Sequence, residues 1–296
     1  LRIMIRVCIV GLGRTGKEIA RVFLEQDDIK VVAAVCSAGS PKKGKDLGEV
    51  IGCGKTGILI DSCDNLQQIV FRTRPDVVVD FSNPEATIKN AKLFAKMKVN
   101  IVIGTTGFSK ISMMKLFVLS RKYRNGIVYA PNITLGVNVL MLMSNLMANI
   151  LSNYDFQVTE VHHKHKKDAP SGTAIKLANE IKKGLVSSGS DSSEIDVPIN
   201  AVRAGGVVGK HEVMIVGEED KIEISHESFS RKAFALGALR AVKFIYKKTG
   251  YFEMSDVLNL RKALNDYLEK EKSISKNRMM HYMDGKKGVH EEANQV

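Results

Sequence analysis

The chain has 296 residues, with 44 Lys and Arg against 32 Asp and Glu, a formal charge of +12, and is 44% hydrophobic and 26% charged. That balance excludes a disordered chain and suits one large domain or two modest ones. A nucleic-acid partner is not expected, because Trp is absent, aromatics are only 6%, and Lys and Arg are scattered among acids; a solvated basic surface and a field for a small acidic ligand with a phosphorylated cofactor both stay open.

The first apolar run, around Arg6–Val10, predicts a short strand that ends in glycines. It lacks a small-x-small cleavage site, so no signal peptide is expected, and Met4 stands as an alternative start to Leu1. Lys17–Gln26 places Ile19, Ala20, Phe23 and Leu24 on one helical face. Val31–Val35 predicts a second strand, Ile58–Ile60 a third, and Leu66–Arg74 a helix stopped by Pro75. Asp76–Asp80 and Asn100–Ile103 predict further strands, with a helix near Glu85–Lys98 between them and one more strand within Tyr123–Tyr129. Continuous apolar strands alternating with amphipathic helices imply a parallel sheet covered on both faces.

The pattern changes after Pro131. Val137–Leu151 predicts a long apolar helix, but Asn138, Ser144, Asn145 and Asn149 interrupt it and it falls short of the ~20 apolar residues of a membrane span. Phe156–His163 predicts a strand, Asp168–Lys183 a helix, and Ser187–Ser193 a loop. Strands at Ile199–Arg203, Glu212–Val216 and Lys221–His226 follow, which implies a mostly antiparallel second sheet, and then a helix at Phe234–Tyr246. The charged tail from Met254 begins helically, and residues 284–296 are expected to be disordered. Four cysteines (Cys8, Cys36, Cys53, Cys63) form no CxxC pair and are expected as free thiols in a reducing compartment.

Two segments carry chemistry. The first is a glycine loop between strand and helix, in which Gly11, Gly13 and Gly16 give GxGxxG. This pattern allows a tight turn, close approach of a pyrophosphate and tight helix packing, with free N–H groups at the helix start. An NAD site usually has an acid about 20 residues on, at the end of the second strand. Here Cys36 and Ser37 stand there, while Arg14, Lys42 and Lys43 lie on nearby loops, which points to a 2′-phosphate and hence NADPH; a solvated loop pair and use of either cofactor is the alternative.

The second is EVHHKHKKDAPSGTA, residues 160–174, in which His162, His163 and His165 crowd with Lys164, Lys166 and Lys167 before a helix that Ser171 can cap. Three readings compete: a metal site, a basic surface strand, and a site for a dianionic substrate with histidine and lysine as proton-transfer groups. Metal is disfavoured because His162 points away from His163 and His165 and three ammonium groups would oppose a cation. The N–H groups of Gly172 and Thr173 at the helix start suit a carboxylate.

This segment resembles the signature of the dihydrodipicolinate reductase (4-hydroxy-tetrahydrodipicolinate reductase) family of the diaminopimelate and lysine pathway. The resemblance extends through GLGRTG, DFSNPE, GTTGF, APNITLGVN, RAGGVVGKHEV and ISHESFSRKAFALGAL, roughly Ile5 to Leu260. It implies an α/β fold: a Rossmann-like nucleotide-binding domain over 1–132, a second α+β substrate and tetramerisation domain on a mixed sheet over 133–236, and a return to the first domain over 237–260. Residues 261–296 form an extra charged tail without a family counterpart. By the same resemblance His162 and Lys166 are catalytic, and His163, Gly172 and Thr173 bind substrate. Gly11, Leu12, Gly13, Arg14, Thr15 and Gly16, then Gly104, Thr105 and Thr106, then Ala130, Pro131, Asn132 and Ile133 contact the cofactor. The implied enzyme is a cytoplasmic homotetramer that reduces a small cyclic dicarboxylate with NADPH in preference to NADH and loses water, without a metal. Departures are a glycine loop one residue shorter than in many members, no acid after the second strand, and Ile133 where an aromatic residue is frequent near the nicotinamide. A non-catalytic nucleotide sensor is the rival class, and the intact His162, His163, Lys166, Gly172 and Thr173 set argues against it.

Overall fold

A computed structural model describes residues 3–189, 191, 195–260, 262–272 and 274. The described residues up to Val257 form one compact unit and those from Leu258 on a second, in which 262–272 are helical. The expected disorder of 284–296 lies outside the described residues.

Six strands open the first unit: β1 (Ile5–Val10), β2 (Ile29–Cys36), β3 (Ile60–Ser62), β4 (Val77–Asp80), β5 (Asn100–Ile103) and β6 (Gly126–Tyr129). Four more, β7 (Asp155–His162), β8 (Ile199–Arg203), β9 (Lys210–Val216) and β10 (Lys221–Glu227), make a separate sheet, after which β11 (Gly250–Phe252) pairs with β6 at the edge of the first. The larger sheet is wholly parallel in the order β11-β6-β5-β4-β1-β2-β3. β4, β5 and β6 are buried at every residue, as strands covered on both faces must be. Its helices are α1 (Arg14–Leu24), α2 (Leu47–Ile51), α3 (Leu66–Thr73), α4 (Pro84–Lys96) and α5 (Lys110–Tyr123). Phe94 of α4 and Leu116 of α5 meet Ile101, Ile103 and Ile127 in one core, each side chain fully buried and worth about 1.5–3 kcal/mol of transfer free energy.

The second sheet runs β10-β9-β7-β8, with β7 and β8 parallel and the other pairs antiparallel. Helices α6 (Leu135–Ile150) and α7 (Gly172–Ser187) pack together and bury Val137, Leu140, Leu177 and Ile181 against Phe156, Val158, Val213 and Ile215. Gly184 lets α6 approach, since a Cβ there would lie 2.3 Å from the Asn145 carbonyl oxygen. The polar residues that interrupt the apolar stretch bond to backbone: Ser144 donates to Leu140 O at 2.7 Å and the Asn145 amide to Glu180 O at 2.8 Å. Among the described residues no helix is long and apolar enough to cross a membrane. The chain then passes through α8 (Lys232–Ile245), which packs on α1, and after β11 ends its first unit in α9 (Met254–Leu258).

The sequence-based elements hold except at five, β3, α7, α2, α5 and β11. β3 lies two residues beyond Ile58–Ile60, because Ile58 O and Ile60 N are bonded to Leu47 N and Lys45 O in the preceding loop. α7 starts at Gly172 rather than Asp168, where Ser171 caps it, and its buried face runs on through Ile181 and Leu185. α2 and α5 were not expected. α5 is apolar on most sides, with Ile111, Met114, Phe117 and Val118 exposed, so it shows no helical period. β11 has only three residues, too few for a strand pattern.

One carboxylate ties the start of α2 to the loop that follows it. Asp46, 4% exposed, accepts from Gly48 N (2.8 Å), Glu49 N (3.3 Å), Thr56 N (3.0 Å), Thr56 Oγ1 (3.0 Å) and Gly57 N (2.7 Å). The Thr56 N–H above all, and against the opposing effect of burial, brings its pKa from 3.8 down to about 2. The depressed value means that this contribution to stability is complete above pH 3.8 and is lost as pH falls through about 2. Asp46→Asn is therefore expected to lower the thermal midpoint by a few degrees at pH 7, with the gap to wild type closing toward pH 2; a gap independent of pH in calorimetric scans would contradict this role.

Candidate active site

The strand order reverses direction between β1 and β4, and the crevice opens at their carboxyl ends. Gly11, at φ +95°, lies so close to the loop after β4 that a Cβ would be 2.5 Å from the Phe81 carbonyl oxygen. Gly16 sits on Gly11 in turn, its Cβ position 1.8 Å from Gly11 O. α1 begins after Gly13 with no side-chain cap, whereas α2, α4, α5 and α7 are capped by Asp46, Asn83, Ser109 and Ser171. Its first N–H groups are left for a ligand.

A cleft of about 1200 Å³ runs from this loop to the end of β7. Of the cofactor residues expected from sequence, Gly13, Arg14, Thr15, Gly16, Thr106, Pro131 and Asn132 line it. Gly11, Leu12, Gly104, Thr105, Ala130 and Ile133 are not among its lining residues. Leu12 is 3%, Ala130 1% and Ile133 2% exposed, so their side chains pack inward. Ile133 thus packs in the core. Thr105 is tied behind the cleft, its hydroxyl 3.1 Å from Thr87 Oγ1. Phe81, which sequence reasoning left without a role, lines the cleft and fills the space where Gly104 lacks a side chain. Cys36 is buried with its thiol donating to Asp61 O at 3.3 Å, so the exposed position after β2 is Ser37.

On the other side of the cleft, β7 turns every second side chain inward: Phe156, Val158, Glu160 and His162. Glu160 is fully buried and accepts from Arg203 Nη2 at 2.7 Å and from Ser171 N at 3.0 Å, while its other oxygen meets His162 Nδ1. Burial opposes its ionisation, but Arg203, His162 and the Ser171 N–H outweigh it and hold the carboxyl below the usual range. His211, opposite Glu160 on β9, stands edge-on to His162 with ring centres 5.2 Å apart, and its Nε2 is 3.3 Å from Ser171 Oγ.

Beyond His162 the backbone turns. Lys166 N donates to His163 O at 3.0 Å, and Ala204 N to His162 O at 2.8 Å, which pins the turn against the loop after β8. Lys166 Nζ reaches both oxygens of Asp168, at 2.8 and 2.9 Å. Burial works against the Asp168 carboxylate, yet Lys166 keeps its pKa low. His163 and His165 lie side by side, with ring centres 6.4 Å apart, while His162 faces the interior. His163 Nδ1 is buried without a partner, and Arg14 and Arg231 approach it from the glycine loop and the start of α8. At the start of α7, Gly172 and Thr173 line the cleft, and Thr173 Oγ1 accepts from Asn132 Nδ2 at 2.9 Å. That bond joins a residue expected at the cofactor to one expected at the substrate. The cleft is strongly cationic, and its acids Asp168 and Glu253 are paired with Lys166 and Lys176, so it suits an anionic ligand.

Sequence reasoning missed Glu160, Arg203 and His211 as parts of the site. The inward alternation along β7 was the available signal for Glu160; Arg203 and His211 both fall within RAGGVVGKHEV, a segment that carries the resemblance but to which no site role was given.

The family model for the dihydrodipicolinate reductase N-terminus matches residues 5–133 and that for the C-terminus matches 136–258. The chain is 39% identical over 270 residues to 4-hydroxy-tetrahydrodipicolinate reductase of Methanocaldococcus jannaschii, covering 87% of this chain and 98% of the relative. It is 40% identical to that of Methanopyrus kandleri, covering 86% and 97%. A dipicolinate-bound dihydrodipicolinate reductase from Paenisporosarcina superposes with a TM-score of 0.68 at 25% identity, over 85% of this chain and 98% of that one. An amine dehydrogenase from Mycobacterium smegmatis, at 15% identity and TM-score 0.63 over 85% and 95% of the two chains, shares the fold.

Burial, first, and neighbouring cations hold the imidazoles of His162 and His163 below the ordinary 6.5, and burial with His162 beside it takes His211 down to about 3. The unfolded chain binds these protons more readily, so stability is full above pH 6.5 and declines as pH falls from there toward 3. An NMR titration is expected to show His162 and His163 titrating below pH 6.5 and His211 remaining neutral at pH 5. Titration of His211 near 6.5 would show that its surroundings are wet.

Proposed function

The chain belongs to the dihydrodipicolinate reductase family, and on that premise we propose that its cleft reduces 4-hydroxy-tetrahydrodipicolinate to tetrahydrodipicolinate, with loss of water, in the diaminopimelate route of lysine biosynthesis. The observation that carries the assignment is one cleft joining an uncapped glycine-loop helix to a cationic histidine–lysine cluster at a second helix start. The glycine loop fits a pyridine nucleotide: Gly13 is exposed and a Cβ there would meet nothing within 4 Å, which leaves room for a pyrophosphate on α1. The reduced nicotinamide supplies the hydride when bound.

The chain's own groups do the rest. Ser171 Oγ caps Ala174 N at 3.2 Å, and the N–H groups of Gly172 and Thr173 receive one substrate carboxylate. Arg14 and Arg231 attract the other negative charge, and the neutral His163 imidazole near them can donate a hydrogen bond to it. Lys166 delivers the proton, its ammonium aimed by Asp168, and His162 serves as its acid–base partner beside the ring. Lys166→Ala and His162→Ala should each lower kcat by ~10²-fold or more in an assay that follows NAD(P)H oxidation with freshly made substrate. Near-normal turnover in both would leave the cluster as a binding surface only.

NADPH is the preferred nucleotide and NADH is accepted. Ser37 offers no carboxylate to the ribose, and Lys42 and Lys43 follow on the same loop, where they suit a 2′-phosphate; Arg14, which sits beside His163 and Arg231, serves the substrate end instead. The KM for NADPH should be lower than that for NADH, by a margin that shrinks with salt because exposed charges are screened beyond ~8–10 Å. Ser37→Glu should reverse the preference. A preference indifferent to both salt and this substitution would mean that another segment reads the ribose.

The nucleotide part spans 1–132 and 237–260, the substrate part 133–236, and 261–296 is an appended tail. The outer face of the four-stranded sheet, with Thr159, Val161, Val202 and Met214, is the face on which four copies associate, since α6 and α7 cover only the inner one. Four free cysteines suit the cytoplasm.

A further inference from the structure

His162 has two ring nitrogens, and its chemistry depends on which one carries hydrogen. Its Nδ1 faces Glu160 Oε2. The same carboxylate receives Arg203 Nη2 at 2.7 Å and Ser171 N at 3.0 Å on Oε1. A guanidinium and a backbone N–H only donate, so the carboxylate is held ionised and has no hydrogen to offer. The hydrogen of the third bond must come from the imidazole. Nε2 is then the nitrogen free to exchange a proton; it lies 3.1 Å from where a Cβ on Gly209 would stand, on a wall of the cleft.

Glu160 also touches the other half of the site. Ser171 is the N-cap of α7, and its N–H is fastened to Oε1 while its Oγ caps Ala174 N. One side chain therefore holds both the imidazole and the helix start that presents Gly172 and Thr173. We propose that Glu160 is a positioning residue that fixes His162 as the Nδ1–H tautomer, with Nε2 open to the substrate, and locks that nitrogen in register with the carboxylate-binding start of α7. The proposal rests on the reductase reading of the cleft.

The charged and titratable groups that act on this pair are Arg203 on β8, His211 on β9 and Lys166 in the turn after β7; behind them His226 on β10 acts on His211, and Asp168 is paired with Lys166. Of these the Glu160 carboxylate alone touches Nδ1 among the described residues.

Glu160→Gln tests it. An amide has one acceptor oxygen and one donor group against three donors. Arg203 and Ser171 keep the oxygen on their side, so the NH₂ group turns to Nδ1 and drives the hydrogen to Nε2. Nitrogen-15 NMR of the imidazoles, with the His162 signals assigned by loss in His162→Ala, should show Nδ1–H in wild type and Nε2–H in Glu160→Gln. The variant should lose 10- to 100-fold in kcat while substrate KM stays within about threefold, because the α7 start keeps its acceptor. Added to His162→Ala, Glu160→Gln should cost nothing further in kcat. Wild-type Nε2–H, or an equal loss in both backgrounds, overturns the proposal. The tautomer is read without turnover, so a protein with Nδ1–H that fails to oxidise NADPH or NADH with substrate would overturn the reductase reading and uphold the placement of His162.

Discussion

Backbone touches backbone where the loop after β1 meets the loop after β4, and only glycine at position 11 permits it. The contact is the first of a chain: Gly16 rests on Gly11, Gly11 on the Phe81 carbonyl, and the Phe81 ring on Gly104. Three residues without side chains thus stand in one line of contacts through Phe81, whose ring meets Gly104 and whose carbonyl meets Gly11. The arrangement sets how near α1 comes to the sheet and where the floor of the cleft lies. A methyl group at Gly11 would push the glycine loop from the loop after β4, one at Gly16 would push α1 from the glycine loop, and one at Gly104 would displace the Phe81 ring.

The second half of the site solves a different problem, that of keeping a carboxylate ionised out of water. An unpaired buried charge is costly, and the chain meets the cost with donors from three places in the sequence: β7, the start of α7 and β8. These are also the elements that frame the cationic side of the cleft. Electrostatic support and shape are therefore the same contacts.

What the sequence made legible follows from how local each signal is. The parallel strands could be read because burial on both faces leaves continuous apolar runs, and the GxGxxG loop because turn, strand and helix are contiguous. His162, Lys166 and Thr173 fall within one short run whose residue types resemble a family signature. Glu160 lay in the same run but looked like one more charge until the strand's alternation was placed against a core. Arg203 and His211 stand in a segment that resembles the family, but their place beside Glu160 was not legible, since it depends on the register of β7 with β8 and β9, across dozens of residues. α5 escaped because an exposed apolar surface blurs the period that marks a helix. Cys36 shows the limit of counting from a motif: the count found the end of β2, but the pleat turned that side chain inward and left Ser37 outside.

The Asn132–Thr173 bond ties the loop after β6 to the start of α7. Asn132 is itself held, its carbonyl accepting from Asn138 Nδ2 at 2.9 Å and its amide oxygen from Thr134 Oγ1 at 3.2 Å, so it has little freedom to move alone. A molecule that displaces Asn132 from one side must carry the Thr173 hydroxyl with it or break the bond. Occupancy of the two halves of the cleft is then one linked equilibrium, and thermodynamic reciprocity requires each occupant to alter the affinity of the other by the same factor.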